Sequence, residues 1–194
     1  MRVKLPQVLQ ESANMRNSVV VLSERKTIKD NILAIDLETN KEIKLGVTIN
    51  NALESRSILQ RKRPFAYLLD SSEFRAATCL QILGLHIDTL RAEKEIEVEA
   101  YLSEKVANNQ EEEESEADEE GEEGPSSAMQ TQPIRRKFPK GSFVVDLSQE
   151  RSNLACEVLE PENPNGFLSV KVIKANRKQE LPIYRYMKPE KITP

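Results

Sequence analysis

Histidine is almost absent from this sequence, and that scarcity removes much familiar chemistry. His86 is the single imidazole. Hydrolytic zinc centres usually take two or three histidine ligands, and Ser or Cys triads need one as proton shuttle, so His86 can fill only one such place. Six glycines and no GxxxxGK[ST] or GxGxxG leave no loop built to cradle phosphates. Two cysteines, Cys79 and Cys156, are too few for a disulfide scaffold or a structural zinc site. Tryptophan is missing, aromatics make up 5% and the net charge is −4, which argues against a basic, base-stacking nucleic-acid face. No run approaches the roughly 18 apolar residues of a membrane span. Met1 to Pro6 lacks the apolar core of a signal peptide, so any export address lies elsewhere. Carboxylates alone are plentiful, and counting leaves carboxylate-pair catalysis open.

Those carboxylates are unevenly placed. The chain has 28 basic and 32 acidic residues, and ten of the acidic ones fall between Glu111 and Glu123 with no basic residue among them. The remainder carries 28 − 22 = +6, a mildly basic body with one acidic strap. From Ala107 to Pro133 apolar side chains are nearly missing and like charges repel, so the segment reads as a disordered linker or loop. It is also an acidic interaction segment for a basic partner, in cis or in trans. Residues 1–17 show little structural grammar. The 194 residues suffice for one large domain or two small ones. Residues 18–106 and 134–194 read as two parts of one domain, since neither buries enough apolar surface alone.

Ser18 to Leu22 suits a buried strand. Two-residue alternation over Leu33, Ile35, Leu37 and then Ile43, Leu45, Val47, Ile49 predicts a hairpin turning at Glu38–Lys41. Phe65 to Leu69 is a strand candidate. Asp70 as N-cap with Glu73 behind it predicts a helix over 71–83 stopped by Gly84, and Leu85 to Leu90 returns as a strand, a crossover unit. Ile96, Val98 and Ala100 alternate as another strand. Beyond the strap, Gly141 to Leu147 is a strand and Ser148 caps a helix over 149–160 that Pro161 ends. Leu168, Val170 and Val172 alternate as a strand, and Pro182 to Tyr186 reads as a last edge segment. The expected fold is therefore α+β or mixed α/β: a mixed sheet with an N-terminal hairpin and two covering helices.

Few residues invite a functional reading. His86 and Asp88 share a strand face, where the carboxylate would raise the imidazole pKa. Arg61, Lys62, Arg63 and Arg75 suggest an anion patch or ordinary surface positivity. Cys79 and Cys156 sit on apolar helix faces as small hydrophobes. Glu157, Glu160 and Glu162 have no evident partners. No catalytic or metal-binding residue is assigned, and the binding residues are left open.

Several segments carry a resemblance when read in series. Arg63-Pro64-Phe65-Ala66-Tyr67-Leu68-Leu69, then Ile82 to Leu90, then Phe138-Pro139-Lys140-Gly141-Ser142-Phe143 to Gln149, then Leu159-Glu160-Pro161-Glu162, and Leu181-Pro182-Ile183-Tyr184-Arg185 cover about half the chain. They resemble, in order, the region C-terminal to the catalytic domain of bacterial zinc carboxypeptidase-like proteins. That resemblance implies a non-catalytic accessory region packing on a peptidase domain, in cis or in trans, or presenting peptide or protein to it. The family's zinc is held by His-x-x-Glu and a distant His. Here His86 is followed by Ile87-Asp88-Thr89, so no ligand carries over and zinc is expected only in a catalytic domain outside the chain. An extracytoplasmic location follows if the parent is an exported peptidase.

Overall fold

A computed structural model describes residues 18–102, 129–174 and 180–193. The N-terminal segment 1–17 and residues 107–128 of the acidic stretch lie outside the described residues. The described part divides into two compact units: Val20–Gln60, and a body formed by the rest.

The first unit is a two-stranded ribbon of β1 (Ser18–Asp36) and β2 (Lys41–Lys62). Its turn occupies residues 37–40, closed by Asn40 N–H on Asp36 C=O at 2.8 Å and by Asp36 accepting from Thr39 Oγ1 at 2.6 Å. Asn40 takes φ +56, a left-handed value that asparagine tolerates. Thr27 Oγ1 donates to Asn50 Oδ1, so these two stand opposite each other. Counting by twos from that pair puts Ile28, Ile32, Ala34, Ile43, Leu45, Val47 and Ile49 together on the other face, with Asp30 among them. Further along, the ion pairs Lys26–Glu54 and Glu24–Arg56 tie the two arms together.

The body is one six-stranded sheet in the order β4-β7-β3-β8-β5-β6. Its strands are β3 (Ala66–Leu69), β4 (Asp88–Thr89), β5 (Lys94–Leu102), β6 (Gln130–Phe138), β7 (Phe143–Asp146) and β8 (Ile183–Tyr186). Helices α1 (Phe74–Ile82) and α2 (Ser152–Leu159) accompany it. Strands from before residue 103 and after residue 128 alternate across the sheet. Every neighbouring pair is antiparallel. Tyr67 and Leu69 join one core cluster with Ala76, Leu80, Ala155 and Leu159 from the helices, while Ala66 and Leu68 join another with Ile96, Val98, Phe138 and Tyr184. Central strands are thus covered on both faces.

This overturns the expected α+β or mixed α/β class. Among the described residues the protein is mostly β, built of two antiparallel sheets with two short helices. The helices are shorter than 71–83 and 149–160 because the residues assigned to cap them are engaged elsewhere. The Asp70 carboxylate takes Arg136, at 3.0 and 3.2 Å, and α1 starts after Glu73 without a side-chain cap. Ser148 bonds Asp146 Oδ1 through both N–H and Oγ, so α2 begins after Arg151, whose φ is +62. Gly84 does end α1: at φ +86 it lets Leu85 N–H reach Leu80 C=O, the Schellman arrangement. Residue 160 is extended, as the following Pro161 demands.

The crossover is also split. Both β3 and β4 run antiparallel to β7, which lies between them, so they share a direction without pairing. Leu168, Val170 and Val172 form no strand. Their backbone is consumed in local turns, Val170 N–H on Gly166 C=O and Val172 N–H on Phe167 C=O. The Pro182–Tyr186 segment is no edge: β8 lies between β3 and β5, and all four residues are buried. Gln130–Pro133, which the sequence reading put in the linker, are strand β6.

Phe138 is fully buried and meets the Tyr184 ring edge-on at 5.1 Å. Phe138→Ala is expected to cost about 3–5 kcal/mol in urea unfolding, whereas Val170→Ala at an exposed turn is expected to stay within about 0.5 kcal/mol.

Candidate functional site

Among the described residues of the body, a knot of charge is deeply buried. Its centre is Glu160, with no solvent exposure, set just past α2 by the extended residue that Pro161 requires. Tyr67, on the helix-facing side of β3, donates its hydroxyl to Glu160 Oε1 at 2.6 Å. Arg61, at the end of β2, donates Nη1 to Glu160 Oε2 at 3.2 Å and to Glu162 Oε2 at 2.7 Å. Its Nη2 reaches Glu162 Oε1 and the Met129 carbonyl. Met129 N–H returns a bond to Glu162 Oε1 at 2.7 Å. From β8, Arg185 brings Nε to 3.5 Å from Glu160 Oε1, donates Nη1 to Glu99 at 2.7 Å and caps the Lys62 carbonyl.

Electrostatics follow from the burial. Desolvation pulls the Arg61 guanidinium pKa down, but the hydrogen bond and charge of Glu162, with Glu160 behind them, outweigh it and leave the pKa above its ordinary value. Arg185 ends above its ordinary value in the same way, desolvation being outweighed by Tyr101, Glu160, Tyr67 and Glu99. Burial, then the charge of Glu160, pushes the Tyr67 and Tyr101 hydroxyls well above the usual tyrosine range. Burial also raises the Cys156 thiol to about 11. Both Glu160 oxygens accept from internal donors. The arrangement is a clamp that joins the end of β2, β3, residue 129, the stretch after α2, and β8.

Residues singled out by sequence are scattered by comparison. His86 Nε2 and Asp88 Oδ1 do come together, at 3.2 Å, with the imidazole largely in solvent. Arg61 and Arg63 do not join Lys62 and Arg75 in a patch. Arg61 turns inward to the clamp, and Arg63 donates to Ser152 Oγ and Asn153 Oδ1 at 2.8 and 2.6 Å. Cys156 is buried and Cys79 half-buried, both as free thiols. Glu160 and Glu162, without evident partners in the sequence, hold the clamp together, while Glu157 accepts from Asn165 Nδ2 at 3.5 Å. The available signal was a run of arginines ahead of one core strand and a Glu-Pro-Glu behind an apolar helix. A cleft of about 270 Å³ lies above Phe65, Val144 and Tyr186, with Asp88, Asp146 and Lys191 on its rim.

Among the described residues no group of three His, Cys, Asp or Glu side chains is placed to hold a metal, and His86 has one carboxylate beside it.

Two outcomes test the clamp. Glu160→Gln removes the charge that balances two buried guanidiniums and is expected to cost about 3–5 kcal/mol, read as a lowered urea midpoint. The second is a pH dependence. Cys156 binds its proton more tightly folded than unfolded, so its contribution is complete below the ordinary thiol value of 9.0 and is lost as pH climbs towards 11. The melting temperature is expected to fall across that window, and Cys156→Ala to flatten the fall. At pH 8 a thiol reagent should modify Cys79 first and reach Cys156 only on unfolding.

No protein-family model and no solved structure matches the chain. It is 26% identical over 175 residues to Carboxypeptidase 2 of Trichophyton rubrum, a match covering 89% of this chain and 31% of that protein. Carboxypeptidase 2 of Trichophyton tonsurans and of Trichophyton equinum are each 28% identical over 176 residues, with the same coverage. These relatives are fungal, whereas the motifs were read against bacterial proteins. The chain spans about a third of the length of the curated relatives it matches. Over most of its length it is distantly similar to a carboxypeptidase-related region.

Proposed function

We propose that the chain is a non-catalytic accessory region of a carboxypeptidase-like protein, C-terminal to a catalytic domain and packing on it or assisting it. The observation that carries this reading is the lopsided coverage. The match takes in 89% of this chain but 31% of Carboxypeptidase 2, in a chain whose single histidine is a surface residue. The residues that carry the motif resemblance support it. Tyr67, Phe138, Glu160 and Arg185 are all buried in the body, in strands or in the clamp, and Ser142 is buried just ahead of β7, so what resembles the peptidases is scaffold. The zinc and the general base belong, on this reading, to a domain outside the chain. The body would contribute a preformed surface to that domain, or hold peptide near it. An extracytoplasmic location would come with the parent peptidase.

Two measurements test the proposal. The purified chain, incubated with equimolar zinc and N-blocked peptides, is expected to release no C-terminal amino acid and to lose its zinc on dialysis against a weak chelator. Peptide turnover, or one tightly held zinc per chain, would overturn the non-catalytic reading. Deleting the matching third of Trichophyton rubrum Carboxypeptidase 2 is expected to lower that protein's melting temperature while its zinc stays bound. Loss of the zinc on deletion would place ligands in this region and end the accessory reading.

A further inference from the structure

The cleft beside Tyr186 lies on the face of β3 opposite Tyr67, and strand register dictates its lining. Asp146, Ala66 and Tyr186 stand opposite one another on β7, β3 and β8, so their side chains share that face. Asp88 joins it by pairing with Val144, two residues before Asp146. Alanine in the middle of the row leaves a trough between a carboxylate and a phenol. The far wall is the stretch after β8. Lys188 pairs with Glu97 at 3.1 Å, the Thr193 carbonyl accepts from Lys94 Nζ at 3.1 Å, and Ile192 packs against the apolar cluster of this face. Held in this way, the stretch bounds a cleft of about 270 Å³ that Phe65 and Glu190 also line. Pockets that enclose a drug-sized ligand hold about 300–1,000 Å³, so this one has room for a single side chain.

Charge selects the side chain. Asp88, Asp146 and Glu190 line the cleft together with one cation, Lys191. Ser148 holds Asp146 Oδ1, while Asp146 Oδ2 meets Lys191 Nζ at 3.7 Å, with the lysine side chain 77% exposed. The cleft thus already draws a cation to Asp146, and a pair so long and so wet yields readily to a better-fitting one. We propose that the cleft takes the guanidinium side chain of an arginine residue in a peptide. A guanidinium is planar, offers carboxylates a fork of donors and stacks on aromatic rings. It therefore suits Asp88, Asp146, Phe65 and Tyr186 better than a compact ammonium does. The volume admits the arginine side chain and leaves the peptide backbone outside, so neighbouring residues of the peptide are free to vary. The inference gives a ligand class to the peptide-holding role and rests on that reading.

Amide NMR of the full chain, titrated with N-acetyl-Ala-Arg-Ala-amide, tests it. The resonances of Ala66, Val144, Asp146 and Ile192 are expected to shift and saturate with a dissociation constant of about 1 mM, the scale of one side chain's contacts. The same peptide with citrulline for arginine keeps the shape without the charge and is expected to bind about tenfold more weakly or worse. Putrescine, a cation without a peptide, is expected to do the same. Asp146→Asn, which keeps an oxygen for Ser148, and Asp88→Asn are each expected to weaken binding about fivefold. Lys191→Gln removes the competing cation and is expected to tighten binding about threefold, the reverse of what losing a merely structural ion pair would do. Glu157→Gln, on α2, is expected to leave it within about 1.5-fold. Because binding is read on this chain alone, its failure leaves the deletion result on Carboxypeptidase 2 standing, and zinc loss on that deletion leaves the titration standing. Citrulline or putrescine binding as tightly as the arginine peptide overturns the proposal, as does weaker binding by the Lys191→Gln chain or a set of shifts away from the cleft.

Discussion

A carboxylate buried without any solvent exposure must be surrounded by donors, and Glu160 obliges four distant parts of the chain to supply them or their partners. Arg61 is 99 residues earlier, Tyr67 is 93 residues earlier, and Arg185 arrives on β8. Glu162 then takes the other side of Arg61 and binds Met129, where the described chain resumes after residue 128. Ion pairs of this depth are seldom a large source of net stability, because desolvation consumes most of the attraction. Their effect is selective. Any packing that separates these groups leaves a charge uncompensated in an apolar interior, so alternatives to the native strand order are penalised.

The same arrangement commits the buried carboxylates to structure. Catalytic carboxylates need a face towards substrate and a pKa set for proton transfer. Here the buried acids are committed to guanidiniums and the others mostly lie at the surface, as with the His86–Asp88 pair. The chain's distant similarity covers about a third of a carboxypeptidase, and its polar interior holds strands together.

Elements with one wet face were legible in the sequence. Ile96, Val98 and Ala100 alternate with Glu95, Glu97 and Glu99, and β5 follows them; the ribbon's alternating arms and its turn were readable for the same reason. Strands covered on both faces were harder, since period two vanishes when Tyr67 and Leu68 are buried against opposite clusters. That is why β8 passed for an edge. Helix starts were misread because Asp70 and Ser148 have capping chemistry but spend it on Arg136 and Asp146, partners that only the tertiary structure supplies. The alternation of Leu168, Val170 and Val172 was lost to turns begun at Asn163 and Gly166. The clamp itself was invisible, because nothing in a linear reading joins Arg61 to a glutamate 99 positions away.

The position of β8 has a consequence for how the molecule comes into being. It is the last in sequence of the described strands, yet it is the seam between β4-β7-β3 on one side and β5-β6 on the other. During synthesis the ribosome will have produced every other strand of the sheet before residue 183 exists, and until then the two halves have no shared strand. Their apolar faces must wait, exposed to solvent and to chaperones, for the final stretch to thread between them. Such a chain closes late and over long sequence separations, which slows folding. A nascent chain that stops short of residue 183 would be left as two unsealed half-sheets, ready substrates for quality-control proteases.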